Sequence, residues 1–525
     1  MAPRLSLCMI VRDEEALLPG FLARVRGVWD ELVVVDTGSV DRTALLAAEA
    51  GATVLHHAWK DDFAAARNAS LEAASGDWIL VLDADELVSP DLARSIREAA
   101  VDAGAGAATV AMRNQMPHGH VRETRLLRMF RRDPAIRFRH AIHEDASEAV
   151  RAFLARTGLE QRHLDGWVDH LGYVRARAAA KEKKARDVGL LERALAADAG
   201  DLYAHFKRLE QARFWGDRAL WWRAAGDAVA AIRAAPEKLL TAHYGGELVA
   251  LVADGLHRGA PREAVALLDL WASRVRPAAA FHLRRGELYE QLGRSAAATT
   301  EFERCRALAG QTQNLQLATV RPTLGLARLA LARGDATGAL ARAEEALALA
   351  PRDPEALLLA VTLHRARGGS SAVQAFAAVH AVAHGDPDEL HDAVGEGALL
   401  AGDLPLALEA LVRAAGQPPR GRAGLRLGVA LVAQGRPEAA REIGRALEPE
   451  LPEAALLVVL ADLSEGRDTS TSVELEPDEL DRAMRSMVAL LAPSAVPAVR
   501  GRLFAHAPGL VQAFPWLPAA LAPRR

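Results

Sequence analysis

Two carboxylates one residue apart, Asp83-Ala-Asp85, follow directly on the apolar run Ile79-Leu-Val-Leu82. A short continuous apolar run reads as a strand buried on both faces of a sheet. The carboxylates then emerge at its carboxyl edge, where open α/β sheets bind ligands. A pair of hard oxygen donors there suits a divalent cation carrying phosphates. A second apolar run, Leu32-Val-Val-Val35, ends in Asp36. One acidic residue ending a strand is an ordinary helix N-cap. Two such strand ends, one of them Asp-x-Asp, favour a metal and nucleotide site.

The elements that must position these groups are legible around them. Leu5 to Val11 reads as a first strand and Ala16 to Val28 carries apolar residues at helical spacing. Glu31 to Asp36 is a second strand, and Asp41-Arg-Thr43 offers N-cap residues for the next helix. Gly51 to His56 is a third strand, Asp61 to Ala74 a helix containing Arg67 and Asn68, and Trp78 onwards the fourth strand. This alternation implies a parallel sheet with right-handed crossovers. Ala107–Asn114, Arg125–Arg131 and Ile136–Ile142 read as further strands, with Asp133-Pro134 as a turn between the last two.

Four stretches in this order resemble the family 2 glycosyltransferases: Cys8-Met-Ile-Val-Arg-Asp-Glu-Glu15, Val33-Val-Val-Asp-Thr-Gly-Ser-Val-Asp-Arg-Thr43, Asp62-Phe-Ala-Ala-Ala-Arg-Asn68 and Gly76-Asp-Trp-Ile-Leu-Val-Leu-Asp-Ala-Asp-Glu86. The resemblance covers residues 5 to about 175. It implies an α/β GT-A nucleotide-sugar fold, with Asp36 bonding the base or ribose and Arg67 contacting the base or diphosphate. Asp83 would touch the ribose and support the metal, and Asp85 would bind Mn²⁺ or Mg²⁺ directly. Glu86 is either a second layer of support or a helix N-terminal carboxylate. Val40 and Asp13 depart from the usual residues of the motif at peripheral positions. His143-Glu144-Asp145 also resembles the family, in which the carboxylate here deprotonates the acceptor in inverting transfer. Glu144 is the first choice for that base and Asp145 the second; a solvated acidic turn is the plainer alternative. Asp169-His170-Leu-Gly-Tyr173 matches too, making His170 a third metal ligand, a diphosphate contact or a structural histidine. Lys183, Lys184 and Arg186 on the following basic helix either cover the phosphates as a lid or form a solvated face.

A helix without Pro runs from Val174 to about Ala197, and thereafter a period replaces the strand pattern. Gly259, Gly293, Gly334, Gly368, Gly402 and Gly435 each close one helical pattern and precede another, at spacings of 34, 41, 34, 34 and 33 residues, with Gly216 as an earlier member. Gly between paired amphipathic helices, with small residues such as Ala339 and Ala346 on the second, resembles tetratricopeptide repeats. Arg467 to Ser472 reads as a polar linker, Glu476 to Leu491 as another helix, and the Pro-rich end as a cap. The domains expected are 1–175, the GT-A catalytic domain; 176–235, a helical connector; 236–465, the repeats; and 466–525, a helical cap and tail. No catalytic constellation is evident after residue 200, and His364 and His380 read as structural or exposed.

Composition narrows the classes. The formal net charge of −4 gives no reason to expect nucleic-acid binding. Cys8 and Cys305, the only cysteines, fit neither a disulfide framework nor a metal finger and suit a reducing cytoplasm. No apolar stretch reaches the length of a membrane span, and the N-terminal run reads as strand one, not a signal peptide. The expected activity is an inverting, metal-dependent transfer of a sugar from a nucleotide donor, a UDP-sugar by preference. The acceptor would be a peptide or protein engaged by the repeats, or else a saccharide or lipid-linked acceptor. A non-catalytic nucleotide-binding scaffold is the alternative of another class. A nucleotidyltransferase lacks support, because Arg12-Asp-Glu-Glu15 is not a Gly-rich phosphate loop.

Overall fold

The computed structural model describes residues 3–522 except 116–120, 171–176, 258, 313, 468–474, 476, 507–509 and 511–513. Contacts divide it into two compact units, Met1–Pro322 and Thr323–Arg525. The boundary falls inside the segment expected to form repeats.

The first unit opens with β1 (Leu5–Val11), α1 (Leu18–Arg24), β2 (Glu31–Asp36), α2 (Thr43–Glu49), β3 (Thr53–His56), α3 (Phe63–Ala73), β4 (Trp78–Val81), β5 (Glu86–Val88) and α4 (Pro90–Val101). It continues with β6 (Ala105–Gln115), β7 (Val121–Arg131), α5 (Ser147–Thr157) and β8 (Glu160–His170). These strands form one eight-stranded sheet in the order β3-β2-β1-β4-β7-β6-β8-β5. The first four are parallel, as the β-α alternation requires, while β7 runs antiparallel to β4 and to β6. The result is a mixed sheet of GT-A type.

Alternation along the strands explains why both faces are apolar. Leu5, Leu7 and Met9 of β1 pack with Phe21 of α1 and Leu92 and Ile96 of α4. Cys8, one residue out of step, faces Leu71 of α3 and Phe153 of α5 on the other side. Cys8 is fully buried, and burial pushes its thiol up to about 12, so it acts as a small core residue.

Two parts of the acceptor half differ from expectation. Ile136 to Ile142 is not a strand; its one ladder contact is an isolated bridge between Arg139 and Asp145. Ile136 and Phe138 alternate because they bury against the lower face of the sheet. The backbone of Phe138 is satisfied by the Asn68 side chain, which accepts from its N–H at 2.9 Å and donates to its carbonyl at 2.9 Å. Conversely, polar Glu160–His170 carries no strand pattern, yet forms β8, held by Ser89, whose Oγ accepts from Trp167 N–H at 3.0 Å. Gly166 makes this join possible: its φ is +81°, and a Cβ there would lie 2.3 Å from the Leu92 nitrogen.

Helices follow from α6 (Arg177–Ala197), α7 (Leu202–Phe214) and α8 (Arg218–Ala234) onwards. The glycine period has the expected cause. Gly216, Gly259, Gly293, Gly334, Gly402 and Gly435 all adopt positive φ, the left-handed conformation that ends a helix. Where Asp comes next it caps the following helix: Asp217, Asp335 and Asp403 accept from Leu220, Gly338 and Leu406 N–H. At the fourth position the residue at positive φ is Gly369, with φ +64°, and not Gly368, which is non-helical at φ −154°. Ala339 and Ala346 are fully buried, as helix–helix contacts demand. Among the described residues no helix is long and apolar enough to cross a membrane.

Candidate active site

The carboxyl edge of the parallel strands gathers the acidic groups. Asp36 ends β2 and is buried, accepting from the N–H and Oγ of Ser39 at 3.1 and 2.5 Å; its other oxygen lies 3.2 Å from His56 Nδ1. Ser39 Oγ in turn accepts from Asp13 N–H at 3.0 Å, and Asp13 accepts from Val40 N–H at 2.8 Å. The two departures from the family motif thus bond to each other and knit the first two loops together.

Asp83 and Asp85 occupy the short link between β4 and β5, both partly exposed. Arg67, on α3, is buried and faces this link. Its Nη2 donates to Asp83 Oδ1 at 2.7 Å, and its Nε donates to Glu144 Oε1 at 3.1 Å. Arg128 of β7 lies on the far side, pairing with Glu86 and standing 4.0 Å from Asp83 Oδ2. Glu86 also accepts from Asp83 N–H at 3.0 Å. Acid and base therefore alternate in one chain: Glu144, Arg67, Asp83, Arg128, Glu86.

Electrostatics of this chain follow from burial. For Arg67 burial works against the charge, but Asp83 and Glu144 outweigh it and hold the guanidinium's pKa above its ordinary value. For Glu86 burial wins over the pull of Arg128, and the carboxyl is pushed up to about 7. Glu86 lies within a strand, not at a helix N-terminus, and supports Asp83 from behind. Two buried donors in this network, Arg67 Nη1 and Arg128 Nε, have no hydrogen-bond partner among the described residues. Unmet cationic donors beside Asp83 are what a site for an anionic ligand would present.

Among the described residues no three His, Cys, Asp or Glu side chains converge as a complete metal cage. Asp83 and Asp85 alone fit the pattern of Mg²⁺-type sites, where one or two carboxylates hold the ion and substrate phosphates complete its shell. The side chain of His170 lies outside the described residues; its backbone closes β8, opposite Glu86 of β5 and Asn114 of β6.

Glu144 lies on a loop between Arg139 and Asp145 and its side chain is 17% exposed. Asp145 points elsewhere: its Oδ1 accepts from the N–H and Oγ of Ser147 at 3.0 and 2.6 Å, opening α5. Lys184 Nζ donates to Asp217 Oδ2 at 2.9 Å and ties α6 to the start of α8. Lys183 lies near enough to His143 to act on its charge, so α6 does approach the loop. Asn68, at the end of a motif-bearing stretch, and Arg128, in the strand Arg125–Arg131, are partners of the site that their sequence context alone does not single out. Nothing in the sequence marked Tyr203 and Gln211, which reach the loop from α7.

Residues 6–153 match the family model described as glycosyl transferase family 2. The N-terminal domain is a family 2 glycosyltransferase domain, fused here to tetratricopeptide-like repeats. A TPR repeat-containing protein of Synechococcus elongatus is 42% identical over 208 residues, 38% of this chain and 50% of that protein. The prophage-derived glycosyltransferase SunS of Bacillus subtilis is 26% identical over 203 residues, 37% of this chain and 45% of its own length. The chain thus spans about half the length of these curated relatives. Among solved structures, glucosyl-3-phosphoglycerate synthase from Mycobacterium tuberculosis, bound to Mn²⁺, UDP and glucosyl-3-phosphoglycerate, overlaps 35% of this chain and 76% of its own. That overlap has 19% identity and a TM-score of 0.27. A tetratricopeptide repeat protein from Parabacteroides merdae overlaps 54% and 98%, at 14% identity and a TM-score of 0.33.

Proposed function

We propose that the chain is an inverting glycosyltransferase that moves a sugar from a nucleotide-sugar donor, a UDP-sugar by preference, to a peptide or protein acceptor engaged by the repeats. The observation that carries this reading is the Arg67 bridge. One guanidinium binds Asp83 of the donor-side Asp-x-Asp and Glu144 of the loop beyond the sheet. A candidate base is thereby fixed beside the carboxylates that would receive the donor.

In this reading Asp36 binds the nucleoside, and Asp83 and Asp85 would hold a divalent cation, Mn²⁺ or Mg²⁺. When bound, that ion supplies positive charge to offset the charge gathering on the departing diphosphate. Glu144 takes the proton from the acceptor's nucleophilic group. The freed electron pair forms a bond to the anomeric carbon from the face opposite the leaving group. The bond from that carbon to the diphosphate oxygen breaks, its electrons leave with the nucleoside diphosphate, and configuration inverts. Arg67 engages one oxygen of Glu144 and leaves the other to take the proton. The unmet donors on Arg67 and Arg128 would face the donor's phosphates or the groups around them.

The test is release of nucleoside diphosphate from a panel of nucleotide sugars, with and without Mn²⁺. Turnover with one sugar, dependent on the metal and lost in Asp85→Ala, is expected. Binding of nucleotide without turnover under any acceptor condition would favour a scaffold instead.

A further inference from the structure

We infer that α7, beyond the glycosyltransferase domain, belongs to the catalytic apparatus, with Tyr203 a positioning residue that fixes the peptide plane entering Glu144. The inference rests on Glu144 being the base, as proposed above.

The loop from Arg139 to Asp145 is not one that would hold its shape unaided. His140 and His143 both sit at positive φ, +73° and +55°. For residues with a Cβ this conformation costs on the order of 1–2 kcal/mol each, and it persists only where the surroundings over-determine it. From one side α3 supplies Asn68, bonded to Phe138, and the Phe63 N–H, which donates to the Ala141 carbonyl at 2.8 Å. From the other side α7 supplies three contacts. The Tyr203 ring stacks on His140 with centroids 3.8 Å apart and an interplanar angle of 21°. The Tyr203 hydroxyl donates to the His143 carbonyl at 2.7 Å. Gln211 bonds the His143 ring at 3.1 Å. Ile142, between the two histidines, is buried with Leu190, Leu191 and Leu195 of α6 and Ala204 of α7.

The Gln211 contact has a determined sense. Trp215 Nε1, which can only donate, donates to Gln211 Oε1 at 2.8 Å. The Gln211 amide nitrogen is therefore the end facing His143, and it must donate. His143 Nε2 must accept, so this ring is neutral with its proton on Nδ1. Burial, aided by Lys207 and opposed by Asp187 and Glu210, lowers the same imidazole to about 4. His143 is thus neutral and locked to α7.

The carbonyl held by Tyr203 is the one joining His143 to Glu144. Holding it fixes the orientation of the Glu144 backbone, and Arg67 fixes the tip of its side chain. Backbone from α7 and tip from α3 together leave the carboxylate one position. A misplacement of about 1 Å in such a group can cost about 100-fold in rate.

Tyr203→Phe keeps the ring stack and deletes only the hydroxyl. In the full-length protein, kcat for sugar transfer is expected to fall at least tenfold, while donor KM and donor affinity stay within twofold. Hydrogen exchange at the Asp145 amide, which closes the loop onto Arg139, is expected to rise about tenfold. A general loss of fold would instead move donor KM and the melting temperature together, and that result would overturn the inference. So would wild-type kcat with unchanged exchange. If the wild-type protein shows no turnover while exchange rises in Tyr203→Phe, the tether stands and it is the role proposed for Glu144 that fails.

Discussion

At the scale of single residues the account turns on Arg67. Its side chain is 4% exposed and divides its donors between two carboxylates. Removing one partner from a buried ionic group leaves the others uncompensated, at a cost of about 3–5 kcal/mol. Arg67→Ala is therefore expected to lower the stability of the first unit by that amount, read by urea unfolding with a probe in that unit. Arg67→Lys should keep most of the stability but lose turnover, because one ammonium cannot replace a fork aimed at two acceptors. His143 gives a pH dependence. Its folded-state pKa is lowered to about 4, below the ordinary value of about 6.5. The unfolded chain thus binds the proton more readily, so the stability from a neutral His143 is complete above about pH 6.5 and is lost as pH falls towards 4. His143→Asn, which tolerates positive φ, should flatten the decline of melting temperature between pH 6.5 and 4. A wild-type slope in that variant would show that the histidine does not titrate as described.

Elements decide how the residues reach each other. The donor side was legible because apolar runs ending in acids have one economical reading, strands buried on both faces with carboxylates at the edge. The 136–142 stretch misled because Ile136 and Phe138 alternate as a strand would, although they bury side chains while Asn68 serves the backbone. Asn68→Ala should strip two hydrogen bonds from Phe138 and destabilise by about 1–3 kcal/mol, with exchange rising across residues 136–145. β8 was invisible because its residues are mostly polar and its place depends on Ser89, far away in sequence, and on the close approach to Leu92 that Gly166 allows. In the repeats, glycine spacing was readable because each turn needs a left-handed residue. The shift to Gly369 was not, since two adjacent glycines offer the same freedom. Close helix approach explains other glycines: a Cβ on Gly395 would lie 2.4 Å from Leu411 Cγ. Gly395→Ala is expected to cost about 1–3 kcal/mol in the second unit by overpacking, visible in its thermal unfolding.

At the scale of the molecule, sequence motifs end near residue 175, but the compact unit extends to Pro322. Chemistry-bearing residues stop with the motifs, but packing continues, because α6 and α7 cover the loop that carries Glu144. A chain cut after residue 322 is therefore expected to fold and retain donor turnover, whereas one cut after residue 200 loses both α7 and turnover, as assays of the two fragments would show. The role proposed for Glu144, as base of a sugar transfer whose donor is held across the Asp83–Asp85 edge, is read out by nucleoside diphosphate release with Mn²⁺ and a UDP-sugar, wild type against Glu144→Gln, with donor affinity measured in parallel. The expected result is a fall of at least about 100-fold in rate with affinity within twofold; turnover by Glu144→Gln at the wild-type rate would rule out Glu144 as the base.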